Sequence, residues 1–374
     1  MKKLTSQLLL FTLLSLLLTV TKVQAREVTD IYGRQVEVPD NPQHVFFGES
    51  RLLFSLALVY EGDPSARIAG WPTDMKFYDP QSWQAFTAKY PALNRVPTTG
   101  AISFAQSNVE KILALKPDLA ILPHYARQQP GRSELERQLE LAKIPYLYVD
   151  FRVDQLKNSV PSLKILGAVF NSPQKTARFI AFYQHHLQAV ADKIEQLHNT
   201  KPKVMIQLHL GKKEECCITV AHGSLADLMA FSGGNNIATP YIKQVYGQMN
   251  PEAVISADPD IYITTGTSSA EDSRGIHLGP QVNTEQAEAS LRKLLLAEPL
   301  LSQMRAIKHG NAWSLWHNFY ISPLHVVAVE VFAKIFYPQT FRDTDPESTM
   351  RQIFEEFLDM PYQGVYWARL GKEY

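Results

Sequence analysis

A sixteen-residue segment occurs twice in this chain, with the two copies 142 positions apart. The copies run over 107–122 and 249–264, and without gaps they share an asparagine, a glutamate, a Pro-Asp pair and an isoleucine. In each copy an Asn cap with an early acid predicts a short helix, starting at Asn108 or Asn250. The apolar run after Pro-Asp predicts a buried parallel strand. The repeat therefore predicts an α/β fold made of two similar halves.

A long helical pattern separates the two copies. Apolar residues recur at helical spacing over 175–198 without an internal Gly or Pro, which predicts one amphipathic helix of about 36 Å. We expect this helix to join the halves as a stiff strut. The predicted organisation is a first α/β lobe at 26–155, a connecting helical segment at 156–200 and a second α/β lobe at 201–374. Ligands of such sheets bind at the carboxyl ends of strands, so we expect the site in the cleft between the lobes.

The first 25 residues predict a cleavable secretory signal peptide. Lys2 and Lys3 precede an uncharged, leucine-rich stretch over 4–21, and Val-Gln-Ala at 23–25 is typical of a cleavage site. An uncleaved membrane anchor is the alternative, because roughly 18 uncharged residues just span a bilayer. No later stretch is long enough to do so. We therefore expect a mature protein in the bacterial periplasm that reaches a membrane only through a partner.

The composition excludes several classes of protein. The 374 residues are 45% hydrophobic, and 37 Lys+Arg balance 37 Asp+Glu, unlike a disordered chain or a nucleic-acid-binding protein. The two cysteines, Cys216 and Cys217, are adjacent, which excludes a disulfide framework, a four-cysteine zinc site and a cysteine-ligated iron–sulfur cluster. Gly-x-Ser-x-Gly, Walker and His-Glu-x-x-His motifs are absent from the sequence. We therefore expect that the protein is not an enzyme. A secreted α/β hydrolase or oxidoreductase is the alternative.

The order of these features over the mature chain resembles one known family. Four features carry the resemblance: the opening segment at 28–39, the two Glu…Pro-Asp copies, the central helix, and Trp-His-Asn-Phe-Tyr-Ile-Ser-Pro at 316–323. Together they are similar to the features of periplasmic substrate-binding proteins of ABC importers for ferric siderophores, haem and cobalamin. The resemblance implies two Rossmann-like lobes joined by a single long helix, little hinge closure and a ligand held in the cleft. It also implies that Glu110 and Glu252, the repeat glutamates, pair with arginines of the permease dimer.

The expected function is that of a monomeric receptor which delivers a ferric siderophore to an inner-membrane ABC permease dimer. We expect no resident cofactor and no metal site in the protein. Haem, cobalamin, an oxyanion or a bare metal stay as alternative ligands. A bare transition metal needs about three histidines with a carboxylate. Four histidines follow predicted strands: His124, His209, His277 and His317.

Loops after the predicted strands supply the candidate ligand contacts. A guanidinium donates charge-assisted hydrogen bonds to catecholate, carboxylate or hydroxamate oxygens, and aromatic side chains provide flat apolar walls with a polar tip. Each of these residues has an alternative as a surface or core side chain. The candidate set is Arg51, Tyr125, Arg127, Arg152, His209, Cys216, Cys217, Arg274, His277, Trp316, His317 and Tyr320.

The adjacent cysteines follow the predicted strand over 203–208, which places them near the mouth of the cleft. Our hypothesis is an oxidised vicinal disulfide, a stiff apolar feature that shapes the ligand pocket. A reduced pair packed in a loop is the alternative.

Overall fold

The computed structural model describes residues 25–101, 106–128, 131–198, 200–212, 216–267 and 274–371. Residues 1–24, all but the last residue of the predicted signal peptide, lie outside this part of the chain. In the described ranges, no helix combines the length and the apolar character that crossing a membrane would require.

The first lobe is built on a parallel sheet with the strand order β4-β3-β5-β6. The strands are β3 (Val45–Phe47), β4 (Ile68–Gly70), β5 (Leu119–Pro123) and β6 (Tyr146–Val149), preceded by an antiparallel hairpin of β1 (Ala25–Thr29) and β2 (Gln35–Pro39). All residues of β5 are buried, as expected of a strand in a sheet covered on both faces. The connecting helices are α1 (Leu52–Val59), α2 (Asp74–Tyr78), α3 (Pro80–Lys89), α4 (Gln106–Ala114) and α5 (Arg132–Leu141), with 3₁₀ turns at Pro64–Arg67, Pro91–Arg95 and His124–Gln128.

Two consecutive helices follow β6 and lead to the second lobe. They are α6 (Gln155–Val169) and α7 (Pro173–Glu195). The predicted helix over 175–198 is thus present, with Pro173 in its first turn, where a proline needs no hydrogen-bond partner.

The second lobe contains a mixed sheet. Its described strands have the order β10-β8-β7-β11-β12-β13, with β9 beside β7. The pairs β7–β11 and β11–β12 are parallel, and β8, β10 and β13 are antiparallel to their neighbours. The strands are β7 (Lys203–Gln207), β8 (Ile218–Val220), β9 (Asn235–Asn236), β10 (Tyr246–Gln248), β11 (Ile261–Gly266), β12 (Ala312–Trp316) and β13 (Trp367–Arg369).

Helices cover this second sheet and continue to the C-terminal segment. They are α8 (Ser224–Phe231), α9 (Pro251–Ala257), α10 (Thr284–Ala297), α11 (Pro299–Gln303), α12 (Arg305–Lys308), α13 (His325–Phe336) and α14 (Pro346–Gln352), with a 3₁₀ turn at His317–Ile321 and a π-helical turn at Ile353–Phe357. The prediction of two α/β lobes is confirmed by this architecture.

The long helix α7 packs against both lobes and joins them. Phe179 and Tyr183 on α7 are buried, and the Tyr183 hydroxyl lies 2.7 Å from Nε2 of His325 on α13. At the other end, Lys175 Nζ donates to the carbonyl oxygens of Ala57 and Tyr60, which end α1 of the first lobe. The predicted strut is therefore a packed part of the core.

The repeated Pro-Asp pair performs the same structural task in each lobe. Asp118 Oδ2 accepts hydrogen bonds from the amides of Gln43 and His44, just before β3, at 2.6 and 3.1 Å. Asp260 Oδ2 accepts one from the amide of Lys203, the first residue of β7, at 2.9 Å. Because β3 pairs with β5 and β7 pairs with β11, each aspartate fixes the start of the neighbouring parallel strand.

The asparagines of the repeat differ between the lobes. Asn250 caps α9 as predicted, since its side chain accepts a hydrogen bond from the Glu252 amide at 2.8 Å. The prediction that Asn108 caps α4 is wrong, because α4 already begins at Gln106 and Asn108 lies in its first turn.

Candidate functional site

Side chains from both lobes meet beyond the carboxyl ends of the parallel strands. We call this group the cleft cluster. Its members from the first lobe follow β3, β5 and β6, and those from the second lobe end β11 or follow β7 and β12. They are Glu49, Arg51, Tyr125 and Arg152 with His209, Thr265, His317 and Tyr320.

Arg51 is held in place by two carboxylates. Its Nη2 lies 2.6 Å from Glu49 Oε1, and its Nε lies 3.1 Å from Asp74 Oδ2, with all three side chains almost fully buried. Asp74 is itself fixed, because it accepts hydrogen bonds from the amide and the hydroxyl of Ser50. Burial opposes the charge on Arg51, yet Glu49 and the neighbouring groups raise its pKa. Arg51 therefore remains a cation at the base of the cleft.

Arg152 bridges the two lobes. Its guanidinium carbon lies 4.5 Å from the ring centre of Tyr125 and 5.1 Å from that of Tyr320, distances typical of cation–π contacts. Nη1 is 3.7 Å from Glu49 Oε1, and 25% of the side chain stays exposed. The backbone amide donates to Asp150 Oδ1, which fixes the turn after β6. Burial opposes its charge, but Tyr320 and Glu49 raise the pKa of Arg152.

The Tyr125 hydroxyl is buried and has no hydrogen-bond partner within the part of the chain that the structure describes. Burial, followed by the charge of Glu49, raises the pKa of Tyr125 well above its usual range, so the group stays a neutral phenol. A buried polar atom of this kind costs free energy until a ligand pairs with it.

Two histidines of the second lobe lie ring against ring. The His209 and His317 ring centres are 3.8 Å apart, and His317 Nδ1 is 3.0 Å from Thr265 Oγ1, which also accepts a hydrogen bond from the His209 amide. Burial, then the charges of His209, Arg51 and Arg152, lowers the pKa of His317 well below its usual range. His317 is therefore a neutral imidazole in a cationic setting. His317 also lies 4.9 Å from the Tyr320 ring, which joins the pair to Arg152.

The structure brings only part of the predicted ligand set together. Of the twelve candidates, Arg51, Tyr125, Arg152, His209, His317 and Tyr320 belong to the cleft cluster. Within the described residues, no group of three or more His, Cys, Asp and Glu side chains has the arrangement of a metal site.

Arg127 contacts the N-terminal hairpin of the first lobe. Its guanidinium carbon is 4.2 Å from the ring centre of Tyr32, which belongs to the turn between β1 and β2, and 5.7 Å from that of Tyr148. His124 also contacts this turn, through a 2.9 Å contact between Nδ1 and the Tyr32 hydroxyl. Both side chains therefore brace the N-terminal hairpin.

Trp316 is a core residue. It is 1% exposed and packs edge-on against Phe54 of the first lobe and against Phe319 and Tyr366 of the second. The sequence suggested a cleft wall because Trp316 ends a strand. In the structure, its ring instead joins the two lobes below the cleft.

The remaining candidates belong to the second lobe but not to the cleft cluster, and Cys217 is fully buried. Cys216 and Cys217 are joined by a disulfide bond, and the Cys216 carbonyl accepts a hydrogen bond from Gln248 Nε2 at 2.6 Å. Their role in shaping the ligand pocket stays a hypothesis. Arg274 and His277 line a separate cavity beside α10.

Three residues that contact the cluster were not among the twelve candidates. Asp74 holds Arg51, and the ring centre of Tyr78 lies 5.3 Å from the Arg51 guanidinium carbon. Tyr246 interacts with Arg152 and Tyr320 of the cluster. The residue as a whole is 41% exposed, but burial around its hydroxyl, followed by the charge of Tyr320, raises its pKa. Tyr78 and Tyr246 belong to segments without a clear strand or helix signal, so spacing alone does not bring them to the cleft.

A two-lobed α/β fold with a charged and aromatic cluster between the lobes defines a class of solute receptors. A family model described as periplasmic binding protein matches residues 65–315. The chain belongs to this family, which confirms the resemblance drawn from its sequence.

Individual relatives align with different shares of this chain. The molybdate-binding protein MolA of Haemophilus influenzae is 23% identical over 369 residues, which span 92% of this chain and 94% of that protein. The ferric-anguibactin-binding protein FatB of Vibrio anguillarum is 29% identical over 237 residues, or 60% of this chain and 63% of FatB. The crystal structure of the TroA-like periplasmic binding protein FepB from Veillonella parvula superposes with a TM-score of 0.85 at 24% identity, covering 92% of this chain and 99% of that one. MolA and FatB are named for different ligands.

Proposed function

We propose that this protein is the periplasmic receptor of an ABC importer and that it binds an anionic ferric siderophore in the cleft cluster. The observation that carries the proposal is the position of Arg152. Its guanidinium lies between a tyrosine of each lobe while 25% of the side chain is exposed to an incoming ligand. A ligand that contacts Arg152 therefore lies where the two lobes meet.

The chemistry of the cluster suits a ferric chelate with anionic oxygens. Arg152 offers charge-assisted hydrogen bonds to catecholate, carboxylate or hydroxamate groups, and the buried Tyr125 hydroxyl offers one more polar partner. The ring of Tyr246, which is 41% exposed, provides a flat surface for an aromatic or macrocyclic scaffold. The similarity to FatB, named for ferric-anguibactin, supports this class of ligand.

A small oxyanion is the second candidate ligand. MolA, named for molybdate, matches 92% of this chain. The stacked His209 and His317 rings, close to the charges of Arg51 and Arg152, also suit a compact anion. The two candidates differ in size. An oxyanion needs only the arginines and imidazoles, whereas a chelate also contacts the exposed rings of Tyr78 and Tyr246.

Titration of the purified mature protein with a ligand panel tests the proposal. The panel contains ferric catecholate and hydroxamate complexes, the same chelators without iron, haem, cobalamin and molybdate, with tryptophan fluorescence and calorimetry as readouts. We expect saturable binding of a ferric chelate without product formation. Saturable binding of molybdate alone would select the second candidate, and turnover of an added ester or phosphate would contradict a receptor.

The proposed partner is the permease dimer of the importer. Glu110 on α4 and Glu252 on α9 are exposed and occupy matching positions of the repeat, one on each lobe. A pair of equivalent acids suits a partner with two-fold symmetry, because each half of the partner then meets the same group. We propose that these glutamates dock the loaded receptor.

A further inference from the structure

Two neighbouring aromatic side chains are exposed to solvent at the end of the short helix α2. Phe77 is 74% exposed and Tyr78 is 54% exposed, and their rings lie edge to face with the centres 4.9 Å apart. We call these two rings the α2 aromatic pair. Single exposed apolar residues are common on protein surfaces, whereas adjoining ones mark surfaces that bind a ligand or a partner. The pair therefore asks for an occupant.

Helix α2 places the aromatic pair at the edge of the cleft cluster. At the start of the helix, Asp74 Oδ2 lies 3.1 Å from Arg51 Nε, and at its end the Tyr78 ring centre lies 5.3 Å from the Arg51 guanidinium carbon. Arg51 is thus contacted by both ends of α2. Glu49 Oε1 extends these contacts to the partly exposed Arg152, since it lies 2.6 Å from Arg51 Nη2 and 3.7 Å from Arg152 Nη1. A ligand bound by the arginines therefore has exposed rings beside it.

Contacts with α3 hold α2 in place. Lys76 Nζ lies 4.6 Å from the ring centre of Trp83 on α3, a distance typical of a cation–π contact. The Asp79 amide donates to the carbonyl oxygen of buried Met75 at 2.9 Å, and Asp79 Oδ1 accepts a hydrogen bond from the Ser82 amide at 3.2 Å. The exposed rings thus belong to an anchored helix, so a ligand that covers them does not first have to order the backbone.

We propose that the α2 aromatic pair makes this receptor select ferric chelates that carry aryl rings over anionic ligands without rings. The inference rests on the proposed function, because it assigns a ligand class to the same cleft. A catecholate chelate presents anionic oxygens to the arginines and flat rings that stack on Phe77 and Tyr78. A carboxylate chelate or a small oxyanion carries the charge but leaves both rings in water.

Calorimetric titration of the purified mature protein with two ferric chelates tests this inference. Ferric enterobactin is a catecholate complex with three aryl rings, and ferric rhizoferrin is an anionic carboxylate complex without rings. We expect the catecholate complex to bind at least about tenfold more tightly. Phe77→Ser with Tyr78→Ser should remove most of that difference by weakening catecholate binding. The affinity for the carboxylate complex should stay within about twofold, because the charge of the cleft is unchanged.

Two control variants separate the rings from other effects of substitution. Phe77→Tyr with Tyr78→Phe keeps both rings and should bind the two chelates like the unmodified protein. Leu141→Ser removes an apolar side chain that is 67% exposed on α5 of the same lobe, and it should change neither affinity.

The outcomes that overturn the inference differ from those that overturn the proposed function. Equal losses for both chelates in the serine variant, or unchanged catecholate affinity in it, would overturn the inference while the receptor function stands. If that affinity is unchanged but uptake by cells is lost, the pair contacts the permease; if instead a dimer seen by sedimentation is lost, the pair binds a second copy of the chain. Binding of neither chelate would contradict the proposed function, and the inference with it.

Discussion

The guanidinium carbon of Arg152 lies 5.1 Å from the ring centre of Tyr320, so an arginine of the first lobe stacks on a tyrosine of the second. The arginine is held by the Asp150 turn after β6, and the tyrosine is 5% exposed in the 3₁₀ turn after β12. Both partners are thus fixed before a ligand arrives. The contact indicates a cleft assembled in advance, because opening the lobes would separate a cation from its ring.

Replacing Arg152 should weaken the binding of an anionic ligand without unfolding the protein. Arg152→Gln removes a charged donor that contacts both lobes, which we expect to cost about 2 kcal/mol, or roughly thirtyfold in affinity. Arg127→Gln is the matched control, since Arg127 also stacks on a tyrosine of the first lobe but lies beside the N-terminal hairpin. Equal losses of affinity in the two variants, measured by fluorescence titration, would argue against the cleft cluster as the site.

Removing both repeat glutamates should separate transport from binding. Glu110→Ala with Glu252→Ala should abolish uptake of the ligand by cells while the affinity of the purified receptor stays unchanged, because both side chains are exposed on helices outside the cluster. Glu37→Ala with Glu288→Ala, one exposed acid on each lobe, serves as control and should transport normally. A loss of ligand affinity in the first variant would contradict a docking role.

The repeated aspartates should contribute to stability through the strands that they align. We expect Asp118→Ala to lower the free energy of unfolding by about 1–2 kcal/mol, because two backbone amides lose their acceptor. Asp260→Ala should lower it by about 1 kcal/mol, because one backbone amide loses its acceptor. Asp343→Ala removes an acid that is 80% exposed, and it should change the free energy by less than about 0.5 kcal/mol. Urea unfolding gives these values. If all three variants unfold alike, the aspartates do not fix the strand starts.

The fold was predictable because its main signals are local. Each copy of the repeat, with its Pro-Asp pair and the apolar run after it, predicts a helix and a buried strand in its lobe. The apolar pattern of α7 lies between the two copies and so marks the boundary between the lobes. The long helix was predicted from its apolar stripe, but a single stripe does not reveal which side chains of the two lobes pack against it.

The site was only partly predictable. Residues that directly follow parallel strands all lie at the same edge of the sheet. Arg51, Arg152 and His317 could therefore be predicted from the positions of the strands that precede them. Side-chain direction and burial are tertiary properties. Trp316 therefore turned out to be core, and Arg127, although it follows β5, points to the hairpin instead of the cleft.

Buried His325 should make the stability of the protein depend on pH. Burial lowers the pKa of His325 to about 3, and its Nε2 is 2.7 Å from the Tyr183 hydroxyl on α7. An unfolded histidine titrates near pH 6.5, so between about pH 6.5 and 3 the unfolded chain binds a proton that the folded chain does not. The free energy of unfolding must then fall as the pH falls through this window, with a contribution of about 2–3 kcal/mol between pH 7 and 4.5.

His325→Gln keeps a polar partner for Tyr183 but cannot take up the proton. It should therefore lose less stability than the unmodified protein between pH 7 and 4.5, even if it is less stable at pH 7. His309→Gln is the control, because His309 is exposed and its replacement should leave the pH dependence unchanged. Urea unfolding at the two pH values measures the difference. Other buried groups titrate in both proteins, so only the difference in slope between His325→Gln and the unmodified protein reports on this histidine. Equal slopes would show that folding does not lower the pKa of His325.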